Sequence, residues 1–229
     1  AHLAGVLDLG QAMRIICRRG ALMARTRGQG GMAMVGLSMH EAERRLAAVP
    51  GRTDKLSVAA SNSPSSSIVS GAPGPLDEFI AELQAAGHFA RRVQVDVASH
   101  SPQMQGPATD LAAELAGLAP SEAKVPVQST VLGRAARGSE FDAAYWGRNL
   151  REPVRFDACI TALLAEGATC FVELGPHPVL CGSVLQTAQA RGSLRQLLVD
   201  LRQDFGHASQ ILDTAADGAI SFPETAVVA

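Results

Sequence analysis

The sequence predicts an α/β fold in which a small β-α-β-β-α-β unit interrupts a larger α/β subdomain. Three observations support this fold class. Apolar side chains recur at helical spacing over residues 9–25, strand and helix signals alternate over residues 30–97, and helix–strand pairs return after Ser101. The predicted divisions are a helix of the large subdomain (1–29), a ferredoxin-like small subdomain (30–97), the remainder of the large subdomain (98–190) and a C-terminal extension (191–229).

The helix predicted over residues 9–25 carries an arginine on its apolar side. Its apolar stripe consists of Ala12, Ile15, Ile16, Leu22 and Met23. Arg19 falls within this stripe, whereas Arg14, Arg18 and Arg25 lie toward the other side. An arginine in that position must extend its guanidinium to solvent, pair with a structural partner or bind an anion. The pattern alone leaves open whether Arg19 is structural or binds a ligand.

Residues 30–97 follow the order strand, helix, strand, strand, helix, strand, which is the order of a ferredoxin-like unit. The four strands are predicted at 32–37, 55–60, 66–70 and 93–97. Ser38 and Glu41 have the spacing of a capping box for the first helix, and Pro75 and Gly87 bracket the second. The stretch 62–66, Asn-Ser-Pro-Ser-Ser, predicts a turn-rich loop between the second and third strands.

His100 is the most prominent candidate for chemistry. Valines at 93, 95 and 97 alternate with polar residues, which predicts a strand with one buried face, and Pro102 predicts a turn directly after it. His100 is therefore expected at the end of a strand, between small neighbours. An imidazole at such a corner can act as a general base, although the same position also suits a histidine with a purely structural role.

The rest of the chain returns to paired helices and strands. Helices around Leu111 and Ile160 precede strands predicted at 125–131 and 169–174. The Gly-Pro-His-Pro stretch at 175–178 predicts a turn into a final helix, and its histidine, His177, is interpreted as structural.

Composition excludes several classes of function. The chain has 229 residues, of which 47% are hydrophobic and 18% charged, so it can bury a substantial core. A net charge of -2 favours neither nucleic acid nor an anionic membrane as a partner. No apolar run approaches the roughly 20 residues of a membrane span, and the first residues lack the pattern of a signal peptide. The predicted location is the cytoplasm, and the arginine-rich, alanine-rich composition suggests a bacterial source.

The four cysteines show no Cys-x-x-Cys spacing, and the histidines are scattered. We therefore predict structural thiols in a reducing compartment and no metal site.

Six segments, in this order and at this approximate spacing, resemble the acyltransferase domains of modular type I polyketide synthases. They are Ala-His-Leu-Ala-Gly-Val-Leu (1–7), Gly-Gly-Met-Ala-Met-Val (30–35), Val-Ala-Ala-Ser-Asn-Ser-Pro-Ser-Ser (58–66), Val-Ala-Ser-His-Ser-Pro-Gln (97–103), Tyr-Trp-Gly-Arg-Asn-Leu-Arg-Glu-Pro-Val-Arg-Phe (145–156) and Phe-Val-Glu-Leu-Gly-Pro-His-Pro-Val-Leu (171–180). The resemblance extends to about residue 190. It implies part of an α/β-hydrolase-like large subdomain with an inserted ferredoxin-like small subdomain.

The resemblance also implies roles for individual residues. His100 is the expected general base, and the backbone carbonyl of Asn149 is expected to orient it. Arg19 is expected to bind the carboxylate of the extender unit, and Asn62 to approach the acyl pocket. The family's nucleophilic serine, in a Gly-His-Ser-x-Gly elbow, lies upstream of the block that begins at residue 1. We therefore expect the nucleophile outside this chain and the chain alone to be inactive.

Extender choice is expected to depend on the segment before His100. In the family, Tyr-Ala-Ser-His accompanies methylmalonyl units and His-Ala-Phe-His accompanies malonyl units. Val97-Ala-Ser99-His100 is closer to the first, although Val97 departs from both. The resemblance therefore implies that methylmalonyl is favoured over malonyl.

The implied reaction is a ping-pong transfer that needs no permanently bound cofactor. The acyl group passes from acyl-coenzyme A to the phosphopantetheine of an acyl carrier protein, in the company of neighbouring polyketide synthase domains. The alternative is a non-catalytic remnant or binding module that retains only carrier-protein or coenzyme A contacts.

Overall fold

The computed structural model describes residues 1–173, 179–192, 197–200 and 227–228. Over these residues, seven α-helices and ten strands alternate along the chain. The helices are α1 (Leu9–Ala24), α2 (Met39–Ala47), α3 (Pro73–Ala85), α4 (Gln105–Glu114), α5 (Ala143–Arg151), α6 (Phe156–Ala165) and α7 (Cys181–Ala190). The strands are β1 (Gly31–Val35), β2 (Leu56–Ser63), β3 (Ser66–Gly71), β4 (Ala90–Arg92), β5 (Val127–Ser129), β6 (Arg134–Ala136), β7 (Val154–Arg155), β8 (Cys170–Glu173), β9 (Leu197–Asp200) and β10 (Val227–Val228).

The ferredoxin-like unit has the predicted element order. Its strands lie in the order β4-β1-β3-β2, and each contact between neighbours is antiparallel. The first helix begins where it was predicted, because Ser38 accepts a hydrogen bond from the backbone of Glu41 at 3.2 Å. One hydrophobic core, built around Phe79 and Val69, lies within residues 33–90.

The remainder of the chain has its own cores. The larger one combines α1, α4 and α5 around Phe141 and Leu111, and a smaller one lies between α6 and α7. The strand β7 joins the two parts, because it pairs in parallel with β2 and extends the ferredoxin-like sheet to five strands. The α/β fold class with an inserted ferredoxin-like unit is confirmed.

Two predicted elements differ from the structure. The strand predicted at 93–97 is wrong, because β4 ends at Arg92 and the following residues form an irregular connection. Val95 is exposed there, so the alternating valines do not line a buried sheet face. The loop predicted at 62–66 shortens to a turn at Pro64 and Ser65, since β2 continues through Asn62. Alternation indicates which faces differ in polarity, but it does not supply a partner strand.

The C-terminal extension contributes to the sheets where it is described. The strand β9 pairs in parallel with β8, and β10 pairs in parallel with β5. The predicted turn around His177 lies outside the described residues. Over the part of the chain that the structure describes, no helix combines the length and apolarity that a membrane span requires.

Candidate active site

His100 has a left-handed backbone that is held by two other segments. Its φ is 60°, a conformation that residues with a Cβ adopt infrequently. The backbone N–H of His100 donates to the carbonyl of Leu150 at 3.2 Å, and its carbonyl accepts from the hydroxyl of Ser57 at 3.0 Å. The base candidate therefore lies between the end of α5 and the strand β2. Unusual backbone conformations of this kind persist only where the surroundings enforce them, and they cluster at functional sites.

The His100 ring is oriented by the backbone carbonyl of Glu152, at 2.8 Å from Nδ1. The predicted acceptor, the carbonyl of Asn149, is therefore wrong. Glu152 caps the C-terminus of α5 with an extended backbone (ψ 157°), which turns its carbonyl away from the helix direction. A carbonyl acceptor requires the proton on Nδ1, and this leaves the lone pair on Nε2. The arrangement can therefore accept a proton at Nε2 without a carboxylate partner.

The carboxylate of Glu152 is itself fixed by arginine. Arg148, one helical turn earlier, donates to it through Nε at 2.7 Å and Nη2 at 3.1 Å. These hydrogen bonds lower the pKa of Glu152. The Arg148-x-x-x-Glu152 spacing is an i, i+4 pair that the sequence does contain, but nothing in it connects the pair to His100.

The pKa of His100 is lowered, first by burial and then by the positive charge of Arg19, while the hydrogen bond to Glu152 acts in the opposite direction. His100 is therefore neutral at pH 7, which is the state that a general base needs. Arg19 and His100 are distant in sequence, but the fold brings them close enough to interact electrostatically.

Arg19 lies on α1 and is partly buried. Its Nε atom is fully buried and has no hydrogen-bond partner among the described residues. Burial also lowers the pKa of its guanidinium. Buried polar groups are almost always paired, so the unpaired Nε–H of Arg19, which is near enough to affect the pKa of His100, is chemically suited to pair with an anionic group.

The other predicted substrate contacts lie at different places. Ser99, directly before His100, is buried (8% exposed), and Val97, three residues before His100, is half-buried. The hydroxyl of Ser101 donates to the carbonyl of Ala98 at 2.7 Å, so it caps the turn rather than contacting the ring. Asn62 and Ser57 lie near the two ends of β2. At the rise per residue of a strand, their separation of five positions corresponds to roughly 16 Å. Its role in an acyl pocket stays a prediction.

A close backbone contact holds the His100 segment against the start of the ferredoxin-like unit. A Cβ on Gly30 would lie 2.4 Å from the Cβ of Ala98, closer than atoms can approach. In the described part of the chain, no group of three or more histidine, cysteine or acidic side chains is arranged to hold a metal ion.

The fold and this arrangement define an α/β protein with a histidine-centred site. Residues 1–220 match the sequence model of the acyl transferase domain, and the chain belongs to that family. The match continues past residue 190, where the recognisable resemblance was expected to end.

Polyketide synthases are among its relatives. Erythronolide synthase EryA3 of Saccharopolyspora erythraea is 45% identical over 181 residues, which are 79% of this chain and 6% of that protein. Polyketide synthase GfsB of Streptomyces halstedii is 42% identical over 218 residues, or 95% of this chain and 4% of that protein. The chain thus spans a small fraction of the curated relatives.

Solved acyltransferases share the fold. The acyltransferase domain from module 8 of the salinomycin polyketide synthase superposes with a TM-score of 0.85 at 38% identity, covering 96% of this chain and 52% of that one. The malonyl CoA-acyl carrier protein transacylase of Coxiella burnetii has a TM-score of 0.76 at 26% identity, covering 86% of this chain and 61% of that one. The chain spans about half to two thirds of these structures.

Proposed function

We propose that this chain is part of a polyketide synthase acyltransferase that moves a carboxylated extender unit from coenzyme A to an acyl carrier protein. The neutral imidazole of His100, with Nδ1 held by Glu152 and Nε2 available, carries this proposal. Coenzyme A, the carrier protein and neighbouring synthase domains are the proposed partners. The bacterial cytoplasm is the proposed location, in keeping with the bacterial relatives.

The proposed reaction has two half-reactions. His100 Nε2 takes the proton of a serine hydroxyl while the serine oxygen attacks the thioester carbonyl. The coenzyme A thiolate then leaves and receives that proton. In the second half, His100 deprotonates the phosphopantetheine thiol, whose sulfur attacks the serine ester. The serine oxygen leaves and regains its proton. No metal or redox step is required.

The nucleophilic serine of this proposal lies on a segment outside residues 1–229. Ser99 and Ser101 flank His100, but neither has a hydrogen bond to its ring in the described structure.

One face of α1 exposes large apolar side chains: Leu9 by 62%, Met13 by 51% and Ile16 by 53%. Ile16 belongs to the apolar stripe predicted for this helix, but it is exposed. An exposed apolar face of this kind is suited to be covered by further protein.

The first prediction tests whether the nucleophilic serine lies outside the 229-residue chain. Incubated with methylmalonyl-coenzyme A, the 229-residue chain alone forms no stoichiometric acyl adduct, because the base lacks an adjacent nucleophile. The chain joined to a preceding acyltransferase segment that carries the Gly-His-Ser-x-Gly elbow forms one acyl-enzyme per chain. Intact-mass spectrometry measures both. An adduct mapped to Ser99 or Ser101 would contradict the proposal, and no adduct in the joined protein would favour a non-catalytic binding module.

The second prediction concerns the extender. Ser99 is small and buried directly before the base, so we propose that it leaves space for the α-methyl of methylmalonyl. Replacing Ser99 with Phe fills that space and shifts the methylmalonyl-to-malonyl ratio toward malonyl by about 10-fold or more, since one methyl is worth roughly 1–3 kcal/mol in a pocket. Competition between the two thioesters at equal concentration, in the joined protein, measures the ratio.

Ser99→Ala is the matched control, because it keeps the side chain small and leaves the ratio near its original value. A clear malonyl preference before any substitution would contradict the assignment of Ser99.

A further inference from the structure

Ser57 connects the ferredoxin-like unit to the base candidate. It lies in β2, and its hydroxyl donates to the carbonyl of His100 at 3.0 Å. The two residues belong to different parts of the fold. Neither the sequence pattern nor the family resemblance singled out Ser57.

The contact acts on a residue whose backbone is unfavourable by itself. At φ 60° the Cβ of a non-glycine residue is crowded by the backbone, so His100 needs external contacts to stay in this conformation. Three hydrogen bonds provide them. The N–H of His100 donates to Leu150, its carbonyl accepts from Ser57, and its ring donates to Glu152.

Loss of one of these bonds weakens the other two. If the carbonyl of His100 is released, its backbone can return to negative φ, and this rotation moves the ring relative to the Glu152 carbonyl. The hydrogen bond that keeps the proton on Nδ1 then becomes longer and less populated.

We propose that Ser57 is a positioning residue, whose hydroxyl fixes the backbone of His100 and thereby keeps the Nδ1 proton on the Glu152 carbonyl. Its relevance to catalysis rests on the proposed function of His100 as the general base. The hydrogen bond also makes the ferredoxin-like unit part of the machinery that prepares the base.

The structure offers a closely matched control in the same sheet. The hydroxyl of Ser67 donates to the backbone carbonyl of Leu37 at 2.9 Å. Ser67→Ala therefore removes a hydroxyl-to-carbonyl hydrogen bond of the same kind from β3, without a contact to His100. Any effect common to Ser57→Ala and Ser67→Ala reports on the sheet, and any effect limited to Ser57→Ala reports on His100.

The test measures the His100 ring and amide by NMR in the 229-residue chain labelled with ¹⁵N, at a pH where the ring is neutral. In the native chain the Nδ1–H tautomer predominates. In Ser57→Ala the ratio of the Nδ1–H to the Nε2–H form falls about fivefold, and exchange of the His100 amide accelerates about fivefold, as expected for loss of one hydrogen bond. Ser67→Ala leaves both values unchanged. His100→Gln identifies the resonances.

Two further variants keep the test decisive. Ser57→Thr retains the hydroxyl and restores the native tautomer ratio, and Ser57→Cys retains the shape with a weaker donor and shows an intermediate ratio. If Ser57→Ala fails to fold, the comparison of these two variants replaces it. An unchanged ratio and unchanged exchange in the folded Ser57→Ala or Ser57→Cys variant would overturn the proposal.

The readouts do not depend on acyl transfer, so failure of the proposed function is recognised separately. In the joined, active protein, Ser57→Ala lowers kcat about fivefold with KM unchanged, because it affects the base and not the substrate contacts. Altered NMR values without any transferase activity in the native joined protein would retain the positioning role and contradict the function.

Discussion

Replacing His100 with Gln lowers kcat of the joined acyltransferase by about 100- to 10,000-fold, the usual contribution of a general base. Glutamine cannot accept the serine proton, whereas the lone pair of Nε2 can. Steady-state transfer of the acyl group to the carrier protein measures the effect. His40→Gln is the control, because His40 is exposed on α2 and is expected to leave kcat unchanged. A loss below about tenfold in His100→Gln would assign the proton transfer to another group.

The pH dependence of the same protein follows from the direction of the His100 pKa. Burial and the charge of Arg19 lower this pKa below its ordinary value, which is about 6.5. The acid limb of kcat/KM therefore lies below about pH 6.5, and activity stays level from there to neutral pH. The pKa of His100 is about 6.5 in the unfolded chain and lower in the folded chain. The contribution of His100 to the free energy of unfolding is therefore fully present above about pH 6.5, and it decreases as pH falls toward the folded pKa. His100→Gln removes both dependences.

Replacing Arg19 with Ala reduces kcat/KM for malonyl and methylmalonyl thioesters by about 100-fold or more, while simple acyl groups such as acetyl lose far less. Hydrogen bonds to charged groups contribute roughly 1.5–3 kcal/mol each, and a bidentate arginine–carboxylate pair contains two. The unpaired, buried Nε of Arg19 supports this role. Transfer rates for carboxylated and simple acyl thioesters, compared in one protein, give the selectivity.

Arg18→Ala is the matched control for Arg19. Arg18 neighbours Arg19 on α1, but its side chain is 61% exposed and lies 3.6 Å from Glu114. Exposed pairs of this kind contribute about 0–1 kcal/mol, so both substrate classes are expected to react at nearly the native rate. Equal losses for carboxylated and simple acyl groups in Arg19→Ala would exclude a carboxylate-binding role and indicate a structural one.

The sequence by itself determined the elements whose signals are local. The helix α1 lies within the predicted range 9–25, and Ser38 is the N-cap of α2 as predicted. The element order of the ferredoxin-like unit could also be predicted from the sequence, because apolar periodicity and helix caps depend on near neighbours in the chain. His100 and Arg19 were predicted as candidates from local signals too, because each is a polar residue in an apolar pattern.

Only the tertiary structure decided which groups meet. The segment predicted as a strand at 93–97 is an irregular connection after β4, and the acceptor of the His100 ring is the carbonyl of Glu152 instead of Asn149. The carbonyl acceptor depends on how the end of α5 turns, and the contact of Ser57 depends on how β2 packs against the His100 loop. A backbone carbonyl has no signature in its own side chain, and a serine in a strand looks the same whether or not its hydroxyl holds a distant residue. These contacts arise from the packing of segments far apart in sequence, and local patterns contain no information about that packing.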